Sequence, residues 1–201
     1  MPTHAKADKK QRQKGFSRTE KIAGIVILVV AIWAVYSFTQ PPPPQTTTTI
    51  TTPTSTQSAL APDFTLSVVG PNGLTGQKLS LSSFRGKVVF LEFMEPWCSI
   101  CQRMAPTIDK LYQEYGRQNV VFLSVAGPTS ATVDDVAKFI RDYGTDWTYV
   151  YDSSGTIFAT YGVSGTPTFF LIAKNGSIAT RYEGLNATYE ILAADLTRLN
   201  S

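Results

Sequence analysis

The stretch Glu92-Phe93-Met94-Glu95-Pro96-Trp97-Cys98-Ser99-Ile100-Cys101 decides how the rest of the chain is read. It holds both cysteines of a 201-residue chain, spaced Cys-x-x-Cys. The apolar run Val88-Val89-Phe90-Leu91 enters it as a strand, and a helix-like segment leaves it. Strand, Cys-x-x-Cys, then helix is the context of a redox dithiol. A helix starting near Cys98 aims its free N–H groups and positive dipole end at that sulfur. That favours thiolate, the form that attacks a disulfide. Cys101, one turn on, can close a disulfide with Cys98 and release a bound partner. Glu92 stands before Cys98 in an apolar run, so it is expected to be buried with a raised pKa. There it could take or give the proton of Cys101.

Each feature has a plainer reading. Cys-x-x-Cys can be half a zinc site, but four ligands are usual and the single histidine, His4, lies far off in a charged tail. No metal and no cofactor are therefore expected. A purely structural disulfide would close so short a loop that it would remove little unfolded-chain entropy. Glu92 could snorkel at a strand end, although an unpaired buried carboxylate is costly. Trp97 reads either as core packing or as the wall of the approach to Cys98.

From Phe93 to Pro106 the chain resembles the active site of the thioredoxin superfamily. The resemblance rests on Trp97-Cys98-Ser99-Ile100-Cys101, on Met104-Ala105-Pro106, and on Glu92 where thioredoxins carry a buried acid. It rests also on Gly165-Thr166-Pro167-Thr168, which matches the family's cis-proline loop. The opening, with Ala61-Pro62-Asp63-Phe64-Thr65-Leu66 and a turn at Pro71-Asn72-Gly73, is similar to the N-terminal hairpin of the TlpA-like and peroxiredoxin-like branches. The resemblance covers roughly residues 60–201. It implies an α/β thioredoxin-like fold: a mixed β-sheet with helices on both faces and an N-terminal β-hairpin extension. It also implies roles: Cys98 as nucleophile, Cys101 as resolving thiol, Glu92 as proton carrier, Thr166 and Pro167 as substrate platform. Trp97 would line the approach. The implied partners are protein substrates with thiols or disulfides and an upstream membrane redox partner.

The chain departs from the TlpA-like reductants of cytochrome c maturation in two places. Many of those have a proline between the cysteines and an acid three residues after the second; here stand Ser99-Ile100 and Met104. The implied chemistry is thus thiol–disulfide exchange that reduces, oxidises or reshuffles. A thiol peroxidase of peroxiredoxin type is a rival, but it needs a threonine three residues before its reactive cysteine, where Glu95 stands. A copper-delivery module would need Cys-x-x-x-Cys and a histidine in the domain. A non-catalytic binding module on the same fold is the last alternative.

The segment before the domain reads as a tether. Residues 1–21 hold seven basic residues against Asp8 and Glu20, and the remainder is slightly acidic. The overall net charge of +3 therefore belongs to the tail, which argues against nucleic-acid binding by the domain. From Ile22 to Phe38 (22–38) no residue is charged, and Trp33 and Tyr36 suit an aromatic belt. One transmembrane helix is expected there, with the basic flank cytoplasmic and the domain outside the cell membrane. A cleaved signal peptide is the competing reading, against which stand the long basic region and long apolar stretch. Residues 39–59, with four consecutive prolines and a Thr-rich run, form a linker. Residues 60–201 form the thioredoxin-like domain. Two glycosylation acceptor triplets begin at Asn175 and Asn186.

Within the domain, a helix follows the cysteines to about Arg117, and a strand runs from Val120 to Val125. Thr132 and Asp135 mark a capped helix reaching Tyr143, with Val133, Val136, Ala137 and Ile140 on its apolar face. A last helix from Tyr189 is expected to cover the sheet through Ile191, Leu192, Leu196 and Leu199.

Overall fold

A computed structural model describes residues 59–201 except 128–130, together with Trp33. The expected tail, transmembrane helix and most of the linker lie outside the described residues. Among the described residues, no helix is long and apolar enough to cross a membrane.

The domain opens with the hairpin β1 (Thr65–Gly70) and β2 (Gly73–Ser80). Gly70 pairs with Gly73 across the Pro71-Asn72 turn, and Gly73 takes a positive φ of 101° that other residues avoid. A 3₁₀ turn at Leu81–Phe84 leads to β3 (Val88–Met94), and α1 spans Ser99–Tyr115. Then come β4 (Val120–Ala126), α2 (Val133–Tyr143), β5 (Thr148–Tyr151) and the short α3 (Thr156–Thr160). The hairpin β6 (Thr168–Ile172) and β7 (Ile178–Glu183) follows, and α4 (Tyr189–Asn200) closes the chain.

The strands make one sheet in the order β2-β1-β5-β4-β3-β6-β7. β3, β4 and β5 are parallel, while the hairpins at both edges run antiparallel to their neighbours. The sheet is mixed, as expected. β3 lies inside it and is buried along its whole length, which is why it reads as an unbroken apolar run.

Helices occur on both faces, but unequally. One core joins α1, α2 and α4 to Phe90, Phe122, Phe169 and Leu171. The second lies beneath Ala61, Phe64, Leu81 and the residues of α3, against Val89, Leu91, Phe93 and Leu123. The reason is topological. The steps from β3 to β4 and from β4 to β5 move the same way along the sheet, so two right-handed crossovers put α1 and α2 on one face. The other face is left to α3 and the chain's entry segment.

Local signals fixed most element ends. Thr132 Oγ1 accepts from the Asp135 N–H at 3.2 Å, and the Asp135 carboxylate accepts from the Thr132 N–H at 2.8 Å. Gly144, at φ 60°, ends that helix in the left-handed region. Ile191 departs from expectation: it is 42% exposed, while Leu192 and Leu196 are fully buried. Leu192 and Leu196 are four residues apart and share one stripe of α4; Ile191 precedes Leu192 by one residue and is turned about 100° away.

Candidate functional site

The site lies where β3 ends and α1 begins. Glu92 is carried by β3, fixed between β4 and β6. Cys98 is the N-cap of α1, in extended conformation, with its sulfur accepting from the Cys101 N–H at 3.1 Å. The side chain thus satisfies one of the orphan donors of the helix start. The cap loop is braced by Cys98 N–H to Glu95 O at 3.0 Å and Gln102 Nε2 to Pro96 O at 2.9 Å. Both cysteines are free thiols.

A second segment arrives from far along the chain. The loop before β6 contains a cis Thr166–Pro167 peptide, and the Cys98 thiol donates to Thr166 O at 3.3 Å. Thr168 Oγ1 ties the loop to Gly165 O at 2.8 Å, and Gly184 N–H holds Pro167 O at 2.8 Å. Cys98, Cys101, Thr166 and Pro167 are therefore brought together. Of the two sulfur-bearing residues, Cys98 is 7% exposed and Cys101 only 1%.

Trp97 is 56% exposed, so it is not a core residue. It stands between two clefts. One, of about 230 Å³, runs between Glu95, Phe158 and the loop from Val163 to Thr166. The other, of about 300 Å³, runs between Pro96, Gln102 and the α2 residues Asp135, Phe139 and Tyr143.

Behind the cysteines lies Glu92, 2% exposed. Burial pushes its carboxyl up to about 7, opposed by a hydrogen bond that Oε2 accepts from Ser124 Oγ at 2.6 Å. The Cys101 thiol is pushed far up, first by burial and then by the charge of Glu92. A carboxyl poised near neutrality beside a thiol that resists ionisation is an acid–base pair suited to moving one proton. Among the described residues, no cluster of three or more His, Cys, Asp or Glu side chains is placed to hold a metal ion.

The profile of the AhpC/TSA family matches residues 58–181. The chain belongs to the AhpC/TSA family. Within it, the chain sits among relatives named thiol-disulfide oxidoreductase ResA. The one from Geobacillus thermodenitrificans is 39% identical over 119 residues, covering 59% of this chain and 64% of the relative. One from Bacillus thuringiensis is 33% identical over 126 residues, covering 62% and 68%. A crystal structure of a putative thiol:disulfide interchange protein DsbE from Chlorobium tepidum superposes with a TM-score of 0.64 at 28% identity. It covers 72% of this chain and 97% of that one.

This AhpC/TSA member also carries site features that local sequence patterns did not reveal. Glu95 is a second buried acid at the rim. Gly127 lies so near that an added Cβ would stand 2.6 Å from Glu95 Oε1 and 2.5 Å from Phe158 Cζ. Ser124 and Trp147, both buried, stand behind Glu92, with Trp147 Nε1 donating to Ser124 Oγ at 2.8 Å. A lone serine within the apolar strand VVFLSVA was the available signal for that network.

Proposed function

We propose that this chain is a membrane-tethered thiol–disulfide oxidoreductase working outside the cytoplasmic membrane on partner proteins. The observation that carries the reading is the asymmetry of the two sulfurs at one helix start. Both cysteines are buried, but Cys98, 7% exposed, is the more accessible and bonds to the Thr166-Pro167 loop, while Cys101, 1% exposed, is enclosed next to Glu92.

The cycle follows from that asymmetry. The Cys98 thiolate attacks one sulfur of a partner disulfide, forming a mixed disulfide and releasing the other partner sulfur, which takes up a proton. Glu92 then accepts the Cys101 proton. The Cys101 sulfur attacks Cys98 Sγ, which closes the Cys98–Cys101 disulfide and frees the partner's second thiol. Two electrons pass from the chain to the partner, and the reverse sequence oxidises a partner dithiol. Thr166 and Pro167 form the platform on which the partner lies, and Trp97 walls the approach.

Residues 1–21 act as a cytoplasmic basic tail, 22–38 as the membrane anchor, 39–59 as the linker and 60–201 as the catalytic domain. The charge asymmetry and the uncharged stretch support that layout. An upstream membrane redox partner resets the dithiol.

Insulin reduction by the wild-type chain and by Cys98→Ser tests the reaction; a serine variant that retained full turnover would refute it. Equilibration with defined thiol/disulfide buffers sets the direction. A reduction potential near or below about −250 mV marks a reductant, and one near about −150 mV an oxidant or isomerase. Labelling of Cys98 in whole cells by a membrane-impermeant thiol reagent tests the location. Rapid consumption of hydrogen peroxide with a thiol donor would instead favour a peroxidase.

A further inference from the structure

Glu92 belongs to a row of side chains that crosses the sheet. Phe169 on β6 pairs with Glu92 on β3, Glu92 with Ser124 on β4, and Ser124 with Tyr149 on β5. Register partners project to the same face, so all four lie on the side covered by α1.

The hydrogen bonds within this row have a forced direction. Trp147 Nε1 lies 2.8 Å from Ser124 Oγ, and Ser124 Oγ lies 2.6 Å from Glu92 Oε2. An indole N–H can only donate, so the serine oxygen accepts from it. The serine's one proton is then directed to the carboxylate. Trp147 is itself fixed, stacked on Tyr149 at 5.6 Å between ring centroids and flanked by Tyr112 at 6.0 Å.

Among the described residues, no other side chain facing Glu92 makes a hydrogen bond to it. α1 presents the Cys101 thiol, β5 the Tyr149 phenol, and β6 the apolar Phe169. Burial and the charge of Glu92 push both the thiol and the phenol up, so near neutral pH both stay protonated and uncharged.

We propose that Ser124 and Trp147 are a positioning pair for Glu92: the indole aims the serine hydroxyl, and the hydroxyl holds Glu92 as the carboxylate that receives the Cys101 proton. The inference rests on the exchange reaction proposed above. Neither residue touches the reacting sulfurs in this scheme, so each acts through Glu92.

The test is a pH titration of side-chain carboxyl carbons in the reduced, ¹³C-labelled full chain, with the Glu92 signal identified by its loss in Glu92→Gln. Ser124→Ala removes a hydrogen bond to the charged form. The Glu92 midpoint is expected to rise by about one pH unit. The pH profile for release of the mixed disulfide should shift upward with it. Ser124→Thr, which keeps the hydroxyl, should restore both. Trp147→Phe leaves the hydroxyl present but free to turn, and should shift the midpoint the same way by less. If Ser124→Ala fails to fold, the Trp147→Phe titration decides. Unchanged midpoints in folded variants would overturn the proposal. The carboxyl titration reads Glu92 whether or not the chain exchanges disulfides, so a failed insulin assay would strike the proposed reaction and leave this claim to its own measurement.

Discussion

The Cys98 thiol donates to the carbonyl oxygen of Thr166 at 3.3 Å, joining the start of α1 to a loop 68 residues further along the chain. The bond holds the sulfur at the edge of the loop on which a partner would lie. It exists only while the sulfur carries its proton, so ionisation of Cys98 frees that carbonyl as well as arming the nucleophile. The two cysteines should therefore give opposite phenotypes. Cys98→Ser is expected to abolish insulin reduction. Cys101→Ser should still attack but fail to resolve, so partners accumulate as mixed disulfides. Non-reducing electrophoresis of the two variants reads the difference, and adducts on Cys98→Ser rather than Cys101→Ser would reverse the assignment.

Glu92 gives stability a pH dependence whose sign can be worked out. Its carboxyl titrates near 7 in the folded chain against an ordinary value of 4.5, because burial disfavours the charge. Between those values the folded state binds more protons than the unfolded chain. The contribution of Glu92 to stability is then expected to be fully present below about pH 4.5, to fall as pH rises toward 7, and to level off above it. The total fall is about 3 kcal/mol. Glu92→Gln should flatten the wild-type decline when denaturant midpoints are compared across that range. At pH 7 the same variant should release mixed disulfides about 100-fold more slowly, having lost its proton acceptor.

How much of this was legible beforehand depends on the range of the interaction. The Cys98–Cys101 spacing, the Thr132–Asp135 cap and the turn at Gly73 are local, and each left a mark within a few residues. Ser124 meets Glu92 only because β3 and β4 pair in a particular register, and Trp147 reaches Ser124 from the residue just before β5; no pattern within VVFLSVA reveals which residue lies opposite. Glu95 carries no local mark of burial in the sequence, yet it is buried, with Gly127 and Phe158 close against it. The exposed side of Ile191 was missed for a simpler reason. In a short helix with several apolar residues, counting them does not say which stripe meets the sheet.

Trp97 separates contact from packing. At 56% exposure its removal should leave little cavity, so Trp97→Ala is expected to change folding stability by no more than about 0.5 kcal/mol. It lines both clefts at the Glu95-Pro96-Trp97 turn that leads into Cys98, so exchange with a folded protein disulfide should slow. Exchange with a small disulfide should slow much less. Comparing insulin with a low-molecular-weight disulfide on one preparation checks this. Equal slowing on both would mean that Trp97 acts on Cys98 itself rather than on the partner.

Asp152 should behave in the opposite way, as a residue of structure that reaches the site indirectly. Its sequence context, Asp-Ser-Ser-Gly, reads as a turn, and the side chain is buried. Oδ2 accepts from the Ile157 N–H at 2.8 Å and the Phe158 N–H at 3.1 Å, and Oδ1 from Ser154 Oγ at 3.1 Å. These bonds begin α3 and fix Phe158, whose ring meets Phe93 edge-on at 5.0 Å and walls the cleft beside Glu95. Asp152→Ala leaves two half-buried N–H groups without their acceptor, and should lower stability by roughly 1–2 kcal/mol. Asp152→Asn keeps an acceptor oxygen and should recover part of that. Because α3 carries no reacting group, turnover per folded molecule with a small disulfide should stay near wild type in both variants. Denaturant unfolding paired with that assay checks the assignment. An Asp152→Ala protein of normal stability that had lost exchange would show instead that the α3 turn takes part in the chemistry.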